Sequence, residues 1–174
     1  MTDRRFATCV AISLLVVTVA SRIVPHPWNF TPMIAVALFA GARLERTWIA
    51  ALAVVACLAL GDVAVGVFPY DGMAWVYVPM LAIALVGRVL VTRRSVGATV
   101  AAALGAGLLF FVVSNFGVWL GALYPHIASG LAECYIAGLP FYRNQIVGDL
   151  LFTGALFGLH ALAIDLRARA IARA

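Results

Sequence analysis

The stretch "PHPWNFTPMIAVALFAGAR", residues 25–43, decides how the rest of the chain is read. Three prolines, a histidine, a tryptophan and an asparagine crowd into residues 25–32, and residues 30–42 then run without a charge to Arg43. A hydrocarbon core of about 30 Å takes roughly 20 helical residues to cross. The stretch is therefore a short helix that begins below the membrane surface, or a broken one. Backbone of that kind survives at membrane depth only where protein or a water-filled cavity surrounds it.

Composition points the same way. Of 174 residues, 65% are hydrophobic and 11% charged, with a mean hydropathy of +1.07, far outside the range of soluble domains. The expected fold is all-α, a polytopic membrane protein forming one domain over residues 1–174. Its six spans fall at about 6–24, 30–42, 47–67, 73–91, 96–121 and 145–166. The opening "MTDRRFATCVAISLLVVTVASR" has the basic start and apolar run of a signal peptide, but the run is long enough to span and completes an even count. It is read as the first helix. Between the last two spans, "IASGLAECYIAGL" (residues 127–139) ends at Pro140 and reads as a short interfacial or re-entrant helix over the outer mouth.

Arginine sets the orientation, since cytoplasmic loops collect basic residues. With the N-terminus inside, Arg4, Arg5, Arg43, Arg46, Arg88, Arg93, Arg94, Arg167, Arg169 and Arg173 lie at cytoplasmic ends, and only Arg22 and Arg143 lie outside. Both termini are then cytoplasmic. The net charge of +5 is accounted for by topology, and nucleic acid is not an expected partner.

Ionisable groups inside spans are costly and default to functional hypotheses. Helical rise puts Asp62, Asn115 and Asp149 in the outer third of their spans. Around them the outer end carries His26, Trp28, Asn29, Asp71, Trp75, Trp119, Tyr124, His126, Glu133, Tyr135 and Asn144, whereas the inner half reads as almost purely Ala, Leu, Val and Gly. This asymmetry points to an outward-facing pocket with apolar walls and a few placed polar groups. The expected ligand contacts are Asn29, Asp62, Asn115, Glu133, Asn144 and Asp149, with Trp28, Trp75, Trp119 and Tyr135 as stacking walls.

Plainer readings stand beside these. The tryptophans suit an interfacial aromatic belt, the aspartates suit helix ends or pairing with Arg22 or Arg143, and Asn29 suits a helix cap before Thr31 and Pro32. His26, His126 and Cys57 are weak metal candidates, and no metal-binding motif is present. Small residues at four-residue spacing (Ala7 and Ala11; Gly97, Ala101 and Gly105; Gly154 and Gly158) suit close helix packing or docking of a partner in the membrane. No nucleophile elbow, zinc-protease, P-loop or phosphate-cradle motif occurs. The expectation is a binder with no cofactor and no catalytic residues, with energy supplied from elsewhere.

The stretches "SRIVPHPWNFTPMIAVALFAGA", "YDGMAWVY", "SNFGVWLGALYP" and "GLAECYIAGLPFYRNQIVGDLLF" resemble, nearly end to end, a family of small uncharacterised bacterial integral membrane proteins. That family in turn looks like the substrate-binding S components of energy-coupling factor (ECF) transporters. The resemblance implies a six-helix bundle in the bacterial inner membrane and a vitamin or related micronutrient bound near the outer face. It also implies uptake driven by a transmembrane coupling subunit with cytoplasmic ATPases, docked on small faces such as Ala7 and Ala11. Alternatives are a solitary corrinoid (vitamin B12-type) transporter using Cys57, a non-transporting scaffold or assembly subunit, and a membrane enzyme with His126 and Glu133 as acid and base.

Overall fold

A chain that cannot hydrogen-bond to solvent must satisfy its backbone within each segment, and the uncharged runs do so as helices. The computed structural model describes residues 3–91 and 95–173, with side chains from Ile12 onward. It contains α1 (Asp3–Ile23), α2 (Met33–Arg43), α3 (Thr47–Ala64), α4 (Ala74–Leu90), α5 (Val96–Leu120) and α6 (Ala128–Ala172), with no strand among the described residues. Helices α3, α5 and α6 are long and apolar enough to cross a membrane, and α2, α4 and the stretch Ile12–Ile23 of α1 are shorter apolar helices. The chain is a membrane protein by the length and hydropathy of these elements. Arg93, Arg94 and the side chains of Ala7, Cys9 and Ala11 lie outside the described residues.

Of the two forms open to the stretch after Pro32, the chain takes the short, unbroken helix. At 11 residues, α2 is about 16 Å long, half of a hydrocarbon core. Met33 through Gly41 are all buried, and α2 touches each of the other five helices. It is the axis of the bundle, and the neighbours shield a helix too short to meet water at both ends.

Helices α2 and α4 meet backbone to backbone. A Cβ at Gly41 would overlap the carbonyl of Ala84, and a Cβ at Gly87 would overlap the carbonyl of Leu38. The two glycines are thus reciprocal: each helix offers a smooth patch to the other's main chain, the kind of approach small residues permit. Fully buried Val36, Leu38, Val54 and Ile83 fill the space on either side.

Arginine closes the far end of this pair. Arg88 Nη2 donates to Leu44 O at 2.5 Å and its Nη1 to Glu45 O at 3.4 Å, satisfying carbonyls just past the end of α2. Arg43 Nη1 reaches Val91 O at 3.4 Å, and its guanidinium sits 5.1 Å from the ring centroid of Phe157 on α6.

Two expectations are corrected. Residues 128–139 do not form a separate interfacial helix, because α6 runs unbroken for 45 residues through Pro140, about 68 Å if straight. A helical proline removes one backbone hydrogen bond and crowds the preceding turn, and here contacts with α5 hold the helix on both sides of it. Gly138 abuts Asn115 and Phe111, and farther along α6 Asp149 and Gln145 abut Gly107. The small-residue stripes of α5 and α6 also do not pack internally among the described residues: a Cβ at Gly105, Gly154 or Gly158 would meet no described atom within 4 Å, and Ala101 is exposed.

Candidate functional site

At the end of the bundle where α1 and α3 finish and α4 begins, Arg22 Nη2 pairs with Asp62 Oδ1, and Tyr77 Oη donates to Asp62 Oδ2 at 2.9 Å. Asp62 is 1% exposed, while the Arg22 side chain keeps about a third of its surface open at 32%. Arg22 lies across Gly61, whose missing side chain leaves room for the arginine stem. Burial pushes the nearby Tyr70 phenol up from its ordinary value, with the Arg22 charge pulling the other way. Asp62 therefore serves to join three helices, and both carboxylate oxygens are engaged in doing so.

Most of the other expected contacts are likewise engaged within the chain. Asn115 Nδ2 donates to Phe111 O at 2.8 Å, Tyr135 Oη to Val112 O at 2.7 Å, and Trp119 Nε1 to Pro125 O at 3.0 Å. Trp75 packs edge-on to Phe116 at 5.7 Å and fills the notch left by Gly117. His126 Nε2 contacts Gly121 O at 3.0 Å with its ring against Trp119, His26 Nδ1 contacts Pro27 O at 2.8 Å, and Glu133 is exposed. His126 and Glu133 form no contact with each other among the hydrogen bonds and ion pairs described. Cys57 is buried in the core at 2% exposure, and no three His, Cys, Asp or Glu side chains converge among the described residues.

Asn29 has a different local role from the cap the sequence suggested. It has φ +60°, and Phe30 N donates to Pro27 O at 3.0 Å, so residues 27–30 form a tight turn with Asn29 in the left-handed position. Asparagine tolerates that region better than other side chains with a Cβ, and type II turns require it at the third residue. The residue capping α2 is Pro32, with no side-chain cap hydrogen bond.

Two of the expected residues do come together around open space. Trp28, 77% exposed, meets Phe141 edge-on at 6.4 Å, and the two border a groove of about 510 Å³ with Pro140 and Asn144. The turn at Asn29 and the continuous helix through Pro140 set this groove between the first connection and α6.

A second arrangement was not read from the sequence. Gln145, Asp149 and Thr153 follow one another at helical spacing on the buried face of α6. Gln145 Nε2 donates to Gly107 O at 2.9 Å and to Asp149 Oδ2 at 3.3 Å. Below them, between the basic-end halves of α5 and α6, a cavity of about 460 Å³ is bordered by Arg43, Thr99, Thr153, Phe157 and His160. The reading of the half toward Arg43 as almost purely Ala, Leu, Val and Gly is corrected by these polar groups. The i, i+4, i+8 spacing of Gln145, Asp149 and Thr153 was the available signal, but Asp149 alone stood out, and its neutral neighbours Gln145 and Thr153 did not, in an apolar helix. Replacing Thr153 by valine is expected to leave the melting temperature unchanged or raise it, since the hydroxyl is buried with no hydrogen-bond partner and its removal relieves about 1 kcal/mol or more.

Residues 2–171 match a family of unknown function, DUF6580. The chain belongs to DUF6580. No curated protein and no solved structure matches it. The family match takes in both the Trp28–Asn144 groove and the cavity between α5 and α6, so both lie within the part of the chain that defines the family.

Proposed function

We propose that the chain is the membrane-embedded, substrate-binding component of an uptake system for a vitamin or related micronutrient. In this reading six helices cross or enter a bacterial inner membrane, and both termini are cytoplasmic. The observation that carries it is the groove bordered by Trp28, Pro140, Phe141 and Asn144, which combines exposed aromatic faces with one amide. That pairing suits a small polar or aromatic molecule, for which apolar walls supply affinity and a single polar group sets orientation.

The orientation is supported by charge. Arg43 and Arg88 both bond carbonyls at one end of the bundle, and Arg22 sits with Asp62 at the other, in keeping with cytoplasmic enrichment of arginine. The sequence carries no nucleotide-binding motif, so a transmembrane coupling subunit with ATPases would supply the energy. A solitary corrinoid transporter is the less favoured form of this reading, because Cys57 is sealed in the core.

The test is native mass spectrometry of the detergent-purified protein. A small molecule is expected to co-purify, and Trp28→Ala and Asn144→Ala are each expected to weaken its retention about fivefold to thirtyfold, as loss of an interface anchor does. Unchanged retention in both variants would move the site elsewhere.

A second reading, a non-transporting scaffold or assembly subunit, is favoured by one observation. Asp62, Asn115, Trp119 and Tyr135 all direct their polar atoms to groups of their own chain, as a rim that only organises helices does. It calls for a protein partner and no co-purifying small molecule in the same experiment.

A further inference from the structure

The basic-end halves of α5 and α6 do not close on one another. Gly154 and Gly158, one turn apart on α6, keep them open, since among the described residues no atom lies within 4 Å of a Cβ built at either. The resulting cavity of about 460 Å³ falls in the range of small-molecule sites. It is separate from the Trp28 groove and shares no bordering residue with it.

Its chemistry is one-sided. Among the described residues, Arg43 and His160 are the ionisable ones on its border, and no acid lies there. Arg43 is held over Phe157, and His160 packs edge-on to Phe39 at 5.2 Å, so both are positioned by aromatic rings. Thr153 supplies an independent sign of a missing partner. It is 3% exposed, it borders the cavity, and its hydroxyl makes no hydrogen bond. Buried hydroxyls left in that state are rare in native proteins and destabilise by about 1–3 kcal/mol.

Beside the hydroxyls of Ser95 and Thr99, the latter donating to Ser95 O at 3.0 Å, the remaining border is apolar and faces outward. Val96, Val100 and Leu150 are exposed, which in a membrane means exposed to acyl chains. A positively charged recess that opens sideways to lipid, at the end of the bundle where Arg43 and Arg88 gather, matches the inter-helix basic pockets that hold anionic headgroups on the cytoplasmic side. A packing helix from another protein fits less well, because it would bury Arg43 and Thr153 against apolar surface.

We infer that this cavity is a binding site for one anionic glycerophospholipid of the inner leaflet. Its phosphate is attracted by Arg43 and His160, an ester carbonyl accepts from Thr153, and its chain leaves past Val100 and Leu150. The site is independent of the micronutrient reading, and failure of either leaves the other standing.

The full chain, purified in detergent, is offered phosphatidylglycerol and phosphatidylcholine with identical acyl chains, and retention is read by native mass spectrometry. Glycerol phosphate and inorganic phosphate serve as competitors. One phosphatidylglycerol is expected to be retained about fivefold or more over phosphatidylcholine, the effect of one arginine near the headgroup, and neither soluble anion displaces it. Gly158→Leu and Gly154→Leu fill the recess from positions where a Cβ meets no described atom within 4 Å, so each is expected to melt like the parent chain and lose the preference. Thr153→Val is expected to weaken retention while its melting temperature stays level or rises, and Arg43→Gln to remove the headgroup preference. If Arg43→Gln does not fold, the glycine variants decide the question. Equal retention of both lipids, a preference that survives both glycine variants, displacement by glycerol phosphate, or a second polypeptide released by Gly158→Leu would each overturn the inference.

Discussion

Gly87→Leu is expected to abolish the bundle rather than loosen it. The Cβ at position 87 would overlap the Leu38 carbonyl, which is backbone inside a helix whose every residue from Met33 to Gly41 is buried. Overpacking typically destabilises by about 1–3 kcal/mol when side chains can rearrange. Here the obstacle is main chain with five helices around it, so the effect is expected beyond about 4 kcal/mol, in the range reserved for gross disruption. Gly41→Leu should behave alike, because Gly41 meets the Ala84 carbonyl from the other side. Gly105→Ala, where a Cβ meets nothing within 4 Å, is the control and is expected to melt like the parent chain. Size-exclusion profiles and thermal melting in detergent check this. A monodisperse Gly87→Leu protein with unchanged melting would show that α2 and α4 do not lie in contact as described.

Asp62→Ala is expected to give the second largest loss. It strips Arg22 of its carboxylate and leaves the Tyr77 hydroxyl without an acceptor. Removing one partner of a buried pair costs about 3–5 kcal/mol. Because Arg22 keeps 32% of its side-chain surface open, screening brings the expected cost to the lower end, about 3 kcal/mol. Combining Arg22→Met with Asp62→Leu removes both charges and is expected to recover most of the loss, since apolar replacements of buried pairs are often neutral. Tyr77→Phe, which deletes one hydrogen bond, should cost only about 1 kcal/mol. Thermal melting of the three variants measures each term. If the double variant melted no higher than Asp62→Ala, the carboxylate would have a role beyond joining α1, α3 and α4.

Much of the helix plan was legible in the chain. Residues 30–42 are too short to cross a membrane and too apolar to lie outside one, which already required protein or a water-filled cavity around them, and the fold supplies helices. The spacing of arginines separated the two ends: Arg43 and Arg88 both bond carbonyls at one end of the α2–α4 pair, while Arg22 pairs with Asp62 apart from them. Pro140 was misleading. Its local effect is to weaken a helix, and only the contacts of Gly138 with Asn115 and of Asp149 with Gly107 reveal why α6 continues. Asn29 was misleading for a related reason: a cap and a left-handed turn draw on the same residue type, and backbone direction alone distinguishes them.

The candidate site was legible to a smaller degree. A one-dimensional reading identifies polar residues at similar depth but not which of them are already satisfied. Asp62 and Asn115 stood out for the cost of burying them, and the fold meets that cost with Arg22, Tyr77 and the Phe111 carbonyl. Thr153 did not stand out, since threonine in a helix is ordinary until its hydroxyl is seen to have no partner.

Composition, length of apolar runs and the placement of arginine depend only on the order of residues, and they determined an all-helical membrane protein built around a short enclosed helix. Which glycines face a backbone and which face open space depends on residues far away in the chain. Gly41 and Gly87 fall on the main chain of a neighbour, whereas Gly154 and Gly158 fall on none. The same residue type therefore seals one part of the bundle and opens another, and only tertiary packing could decide where the cavity lies.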